Sequence, residues 1–167
     1  MTRDKVDELL KRYRFEVGRY AYLDAQAKEI ERQINKMRDM LIYDVASIQS
    51  PVISDMPKGT SIGDPTQRVG TLLADGWEPQ EIKDLVASLV GISAQRSESK
   101  LVVDFVSAWL DGLTERERWM IEKQVIDGEF WSMIIPAFST TFGEAMSKDT
   151  LKRIRNRALE KIYKMAE

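Results

Sequence analysis

Leu113-Thr114-Glu115-Arg116-Glu117-Arg118 opens, and Thr150-Leu151-Lys152-Arg153-Ile154-Arg155-Asn156-Arg157-Ala158-Leu159-Glu160-Lys161-Ile162 closes, the stretch on which the reading of this chain turns. Thr114 followed three residues later by Glu117 is a capping box, in which two otherwise unpaired helix donors are satisfied reciprocally. Behind it Met120, Ile121, Val125 and Ile126 recur at helical spacing until Asp127-Gly128, a helix stop. A second short segment, Glu129 to Ile135, carries Phe130, Trp131, Ile134 and Ile135. Ser147 is the N-cap candidate of the last helix, with Asp149 in its first turn. Leu151, Ile154, Ala158, Leu159, Ile162 and Met165 make one apolar stripe along that helix, and bases fill much of the rest. Lys148 to Lys164 holds seven Lys or Arg against two acids, a local +5 on a chain of net −2, so the remainder carries −7. A basic helix on an otherwise acidic chain is an electrostatic footprint for phosphate.

The order of these parts resembles region 4 of bacterial sigma factors. Leu113 to Arg118 is followed by a helix, Asp127-Gly128, Trp131-Ser132-Met133-Ile134-Ile135, a turn, and a basic helix ending Arg157-Ala158-Leu159-Glu160-Lys161-Ile162. It looks most like the version carried by phage late-gene regulators of the ArpU and RinA type. The likeness lies at Leu113 to Trp131 and at Thr150 to Ile162. The resemblance implies a helix-turn-helix over 113–165, binding to double-stranded DNA and regulation of transcription from phage or prophage late promoters, with host RNA polymerase as a further partner. Between the matched parts, Pro136 to Met146 is longer than the tight turn usual in such domains, and Pro136 is expected to end or kink the supporting helix.

The DNA-binding candidates are Lys148, Lys152, Arg153, Arg155, Asn156, Arg157 and Lys161. Arg and Asn make bidentate contacts to guanine and adenine edges, whereas Lys serves phosphates as a point charge. Lys152 and Arg155 are three apart on one side of the helix and are the expected base readers. Arg157 and Lys161, farther along, are better suited to phosphate. Trp109, Trp119 and Trp131 are expected in the core rather than stacked on bases.

Composition excludes more than it assigns. There are no cysteines and no histidines, so disulfides, Cys/His zinc sites, thiolate nucleophiles and imidazole bases are all absent. A carboxylate-bound Mg²⁺ site would need a compact acidic cluster flanked by strand signals, and the sequence has none. The expectation is a protein without enzymatic activity or cofactor. No apolar run reaches the length of a membrane span, and Met1-Thr2-Arg3-Asp4-Lys5-Val6-Asp7-Glu8 has no apolar signal core. A cytoplasmic location is expected.

From Val6 to Ile48 the sequence reads as one helix of roughly 60 Å at 1.5 Å per residue. Its apolar positions are Val6, Leu10, Tyr13, Val17 and Tyr20, then Leu23, Ala27, Ile30, Ile34, Met37 and Leu41 after one extra step of three. That is a coiled-coil-like seam with a stammer, and it must bury against the rest of the chain or against a second copy. Ser50-Pro51 to Gly63-Asp64-Pro65, rich in Pro, Gly and Ser, reads as a linker. Within it, Met56-Pro57-Lys58-Gly59 is similar to a loop that such phage regulators carry after their first helix. Three further helices are expected: Thr66 to Ala74, a second opened by Glu78-Pro79 and stopped at Gly91, and Ser97 to Leu110. No stretch alternates with period two.

The expected protein is therefore all-α: a long N-terminal amphipathic helix over 1–49 for oligomerisation, a linker over 50–65, and a helical domain over 66–167. Its expected function is sequence-specific binding of double-stranded DNA by a homodimer, without a membrane partner. Two other readings share these features. A small terminase subunit would use the same parts as a ring for DNA packaging, and a sigma mimic or antagonist would bind RNA polymerase and never touch bases.

Overall fold

A computed structural model describes the backbone of residues 1–47 and 78–167, with side chains described for 1–41 and 78–167. The linker read at 50–65 and the short helix read at 66–74 lie outside the described residues. What is described is all-α, without a strand. α1 spans Arg3–Ser47 and α2 spans Gln80–Asp111. α3, Glu115–Met120, runs directly into a π-helical turn, Ile121–Ile126, and α4 (Trp131–Phe142) and α5 (Lys148–Met165) follow.

Three expectations about the helices need correction. The segments read as stopping at Gly91 and restarting at Ser97 are one helix, α2, which passes through Gly91. Glycine costs a helix interior about 1 kcal/mol relative to alanine, and the apolar residues on both sides of Gly91 outweigh that. Pro136 likewise does not end the supporting helix, because α4 continues to Phe142 with Pro136 on its exposed side. The missing proline N–H forfeits one helical bond, but Ile134 and Phe138 are fully buried on the opposite side. The long turn read at Pro136 to Met146 is thereby mostly helix, and the connection to α5 shrinks to Gly143–Ser147. Finally, the helix read across Met120 to Ile126 changes its winding. Asp127 N–H donates to the carbonyl of Glu122 at 2.8 Å, a five-residue step. On a regular α-helix, residues five apart diverge by about 140°. The wider π turn lets Ile121 and Ile126 enter the same core.

The contacts group the chain into two compact units, one of Met1–Tyr22 with Gln95–Glu167 and one of Leu23–Ala94. In the first, Val6 and Leu10 of α1 bury against Val106, Trp109 and Leu110 of α2, the π-turn isoleucines, and Ala158 and Ile162 of α5. A second cluster joins Met120, Ile134, Phe138 and Leu151, with Trp119, Trp131 and Phe142 half-buried around it. Trp119 meets Phe138 edge-on at 5.5 Å between ring centroids. Trp109, Trp119 and Trp131 thus pack as expected, Trp109 beside Phe105.

The first half of α1 is fastened to this unit by polar contacts as well. Arg14 reaches Asp127 with two bonds, 2.8 and 3.2 Å, Tyr13 hydroxyl meets Ser107 at 3.1 Å, and Tyr163 hydroxyl donates to Asp7 at 2.8 Å. The seam differs from the sequence reading at one place. Glu16, not Val17, points inward and is 1% exposed, paired with Arg12 at 2.7 Å, while Val17 is 38% exposed. In the second unit Leu23, Ala27 and Ile34 of α1 and Ile82 of α2 are buried, and Arg38 pairs with Glu78.

Two substitutions test this architecture. Leu10→Ala should cost about 2–5 kcal/mol in urea unfolding, as a deletion from a filled core does. Gly91→Ala should instead stabilise by about 0.5–1 kcal/mol, since a Cβ there meets nothing within 4 Å. A loss on Gly91→Ala would contradict a continuous α2.

Candidate nucleic-acid interface

α3, α4 and α5 hold one another through the second cluster, and the ends of each helix are set by local chemistry. Gly128 and Gly143 take φ of +68° and +69°, the left-handed region that terminates a helix. The α5 N-cap is Ser147, whose hydroxyl oxygen accepts from Thr150 N–H at 3.3 Å. At the start of α3, Glu117 carboxylate accepts from Thr114 N–H at 3.1 Å and from Thr114 hydroxyl at 3.0 Å. The same oxygen takes Lys161 Nζ at 2.7 Å. One buried carboxylate therefore caps α3 and ties it to the C-terminal half of α5.

On α5 the bases form two rows, one on each side of the buried Leu151, Ala158 and Ile162. The first row is Lys148, Lys152 and Arg155. Lys148 Nζ lies 6.0 Å and Arg155 guanidinium 5.8 Å from the Trp131 ring centroid. Arg155 also donates to Asn156 Oδ1 at 3.1 and 2.8 Å and to Gln124 Oε1 at 3.4 Å. Lys152 faces Asp149 at 3.8 Å. This row, where the sequence pointed for base reading, has intramolecular partners throughout, and Asn156 is already an acceptor for Arg155.

The second row is Arg153, Arg157 and Lys161, each one turn beyond the last, with the exposed Lys164 beyond them. Lys161 is consumed by Glu117. Arg153 and Arg157 are exposed, and among the described residues neither has an ion-pair or hydrogen-bond partner. They border a groove of about 550 Å³, whose far wall is Thr114, Arg116 and Glu117 at the start of α3 and whose α5 wall also includes Thr150, Ile154 and Lys161. Arg116 reaches Glu144 in the connection at 2.6 Å. For Thr114 and Arg116 only a role as helix-start residues is legible in the pattern Leu113 to Arg118, so the sequence does not mark them as site residues.

No protein-family profile, curated protein or solved structure matches the chain. Four bases and one acid line the groove, and the acid is neutralised by Lys161. Burial pushes the Glu117 carboxyl up, but the hydrogen bonds from Lys161 and Thr114 and the Lys161 charge overcome it, and its pKa falls below the ordinary glutamate range. Asp127 behaves alike: burial raises it, and the bonds and charge of Arg14, with Lys123, bring it below the usual aspartate value. Among the described residues no group of three carboxylates converges as a metal site would require.

Because the folded state binds these two protons more weakly than the unfolded chain, the stability they supply is whole above the ordinary carboxylate pKa. It is lost as pH falls through the lowered values. Melting temperature should therefore fall progressively below about pH 5, and Glu117→Gln should melt lower at neutral pH with a shallower acid decline. Equal pH slopes for the two proteins would remove Glu117 as a contributor.

Proposed function

We propose that this chain binds double-stranded DNA through α5, as a sequence-specific regulator of transcription from phage or prophage late promoters. The observation that carries DNA binding is the pair Arg153 and Arg157, exposed on a strongly basic helix of an acidic protein and unpaired among the described residues. Unspent guanidiniums on a helix are the groups that phosphate and guanine edges recruit. The short Gly143–Ser147 connection between two packed helices supports a helix-turn-helix. The transcriptional and late-promoter part rests on the resemblance of Leu113 to Trp131 and Thr150 to Ile162 to sigma region 4, as does contact with host RNA polymerase.

Within this reading the base readers shift along α5. Arg153, Asn156 and Arg157 face solvent, whereas Arg155 lies over Trp131. Arg155→Ala should therefore lower the melting temperature as well as affect DNA. Self-association through α1 belongs to the same proposal on a narrower basis, because Val6, Leu10 and Tyr13 already pack within the chain. A dimer in sedimentation fits a regulator reading paired half-sites; a closed ring fits the packaging role of a small terminase subunit.

Salt titration tests DNA binding itself. With about four to six phosphates neutralised, log affinity should fall against log salt with a slope near −4 to −5 per α5. Arg153→Ala should narrow the gap between a selected duplex and a scrambled one. A flat salt dependence would sink the proposal, and binding of polymerase alone would favour the sigma-mimic reading.

A further inference from the structure

The groove between α3 and the second basic row of α5 has a property the outer surface of α5 lacks, namely two opposed walls. Arg153 and Arg157 stand on one side, Arg116 on the other, and Thr114 and Thr150 contribute hydroxyls. The only acid lining it, Glu117, already accepts from Lys161 and Thr114 and is 5% exposed. The groove's own carboxylate therefore leaves Arg153 and Arg157 unsatisfied. At about 550 Å³ it exceeds ten times the roughly 30 Å³ share of one water, enough for a hydrated oxyanion. Its walls are held by the Glu117–Lys161 bond and by Ile154 packing into the second cluster, so the site is preformed.

We propose that this groove is a discrete phosphate-binding site, in which Arg153 and Arg157 grip one phosphate group and Arg116 faces it. The proposal deepens the DNA-binding reading, for which it would seat one backbone phosphodiester, but the same chemistry accepts free phosphate. Paired guanidiniums favour oxygen pairs on a tetrahedral anion over chloride, which distinguishes a site from general screening.

The measurement uses the full chain and inorganic phosphate as the probe. The Nε–H signals of Arg153 and Arg157 should shift saturably in two-dimensional NMR as phosphate is added at constant ionic strength, while chloride leaves them in place. Arg153→Gln with Arg157→Gln should weaken phosphate at least tenfold without altering the helical spectrum. Arg153→Lys with Arg157→Lys should recover part of it, and the exposed Lys11→Gln should change nothing. Adding duplex DNA separates the two sources: displacement of bound phosphate assigns the groove to a backbone phosphodiester, and simultaneous binding assigns it to free phosphate. An absence of saturable shifts, or shifts that persist in the Gln pair, overturns the site. DNA affinity that stays salt-dependent in that event leaves the DNA reading standing, whereas phosphate binding without DNA affinity would remove the DNA reading and keep the site.

Discussion

Much of the C-terminal geometry depends on one buried carboxylate. Glu117 is two-thirds of the way along the chain, yet it caps α3 through Thr114 and holds Lys161 near the end of α5. A buried carboxylate is costly unless its oxygens are fully engaged; here three donors on two helices engage one oxygen. Those donors tie the start of α3 to α5 across the groove. Removing any donor returns part of the desolvation cost to the fold.

α5 carries two obligations that compete for the same eighteen residues. Its buried positions serve both clusters, Leu151 the second and Ala158 with Ile162 the first. What remains is divided between a row that leans on Trp131 and Gln124 and a row that borders the groove. A high local charge is thus not uniformly available. Arg155 and Lys161 stabilise contacts within the chain, and the free positive charge lies at Arg153 and Arg157, with Lys164 near the helix end.

What depends on residues near each other in the chain is legible in the sequence. The capping box at Thr114, the stop at Gly128, the cap at Ser147 and the apolar stripe of α5 are local signals, and each stands in the structure apart from Met165 at the end of the stripe, which is exposed. Gly91 and Pro136 misled because propensity is a weak force that packing overrides: Ile134 and Phe138 hold α4 together across the proline. The π turn at Ile121–Ile126 has no local signature at all, since it serves the burial of both isoleucines, five residues apart, in one core. The same limit applies to the site. That Arg153 and Arg155 differ in availability follows from Trp131, Gln124 and Glu117, residues 22 to 38 positions away in sequence, and nothing in a charge pattern encodes that.

The first compact unit is built from two pieces, residues 1–22 and 95–167. This makes its assembly a problem of timing. Val6 and Leu10 emerge from the ribosome with no partner, because Val106, Trp109 and Ile162 are yet to be made. At about 5–20 residues per second, the wait for α2's share alone is roughly 5–20 s. Residues 23–94 between the two pieces form the second compact unit, so the first unit closes only through contacts far apart in sequence. The exposure of α1 before closure is a different matter: an amphipathic helix waiting that long for its core is a natural client for a chaperone.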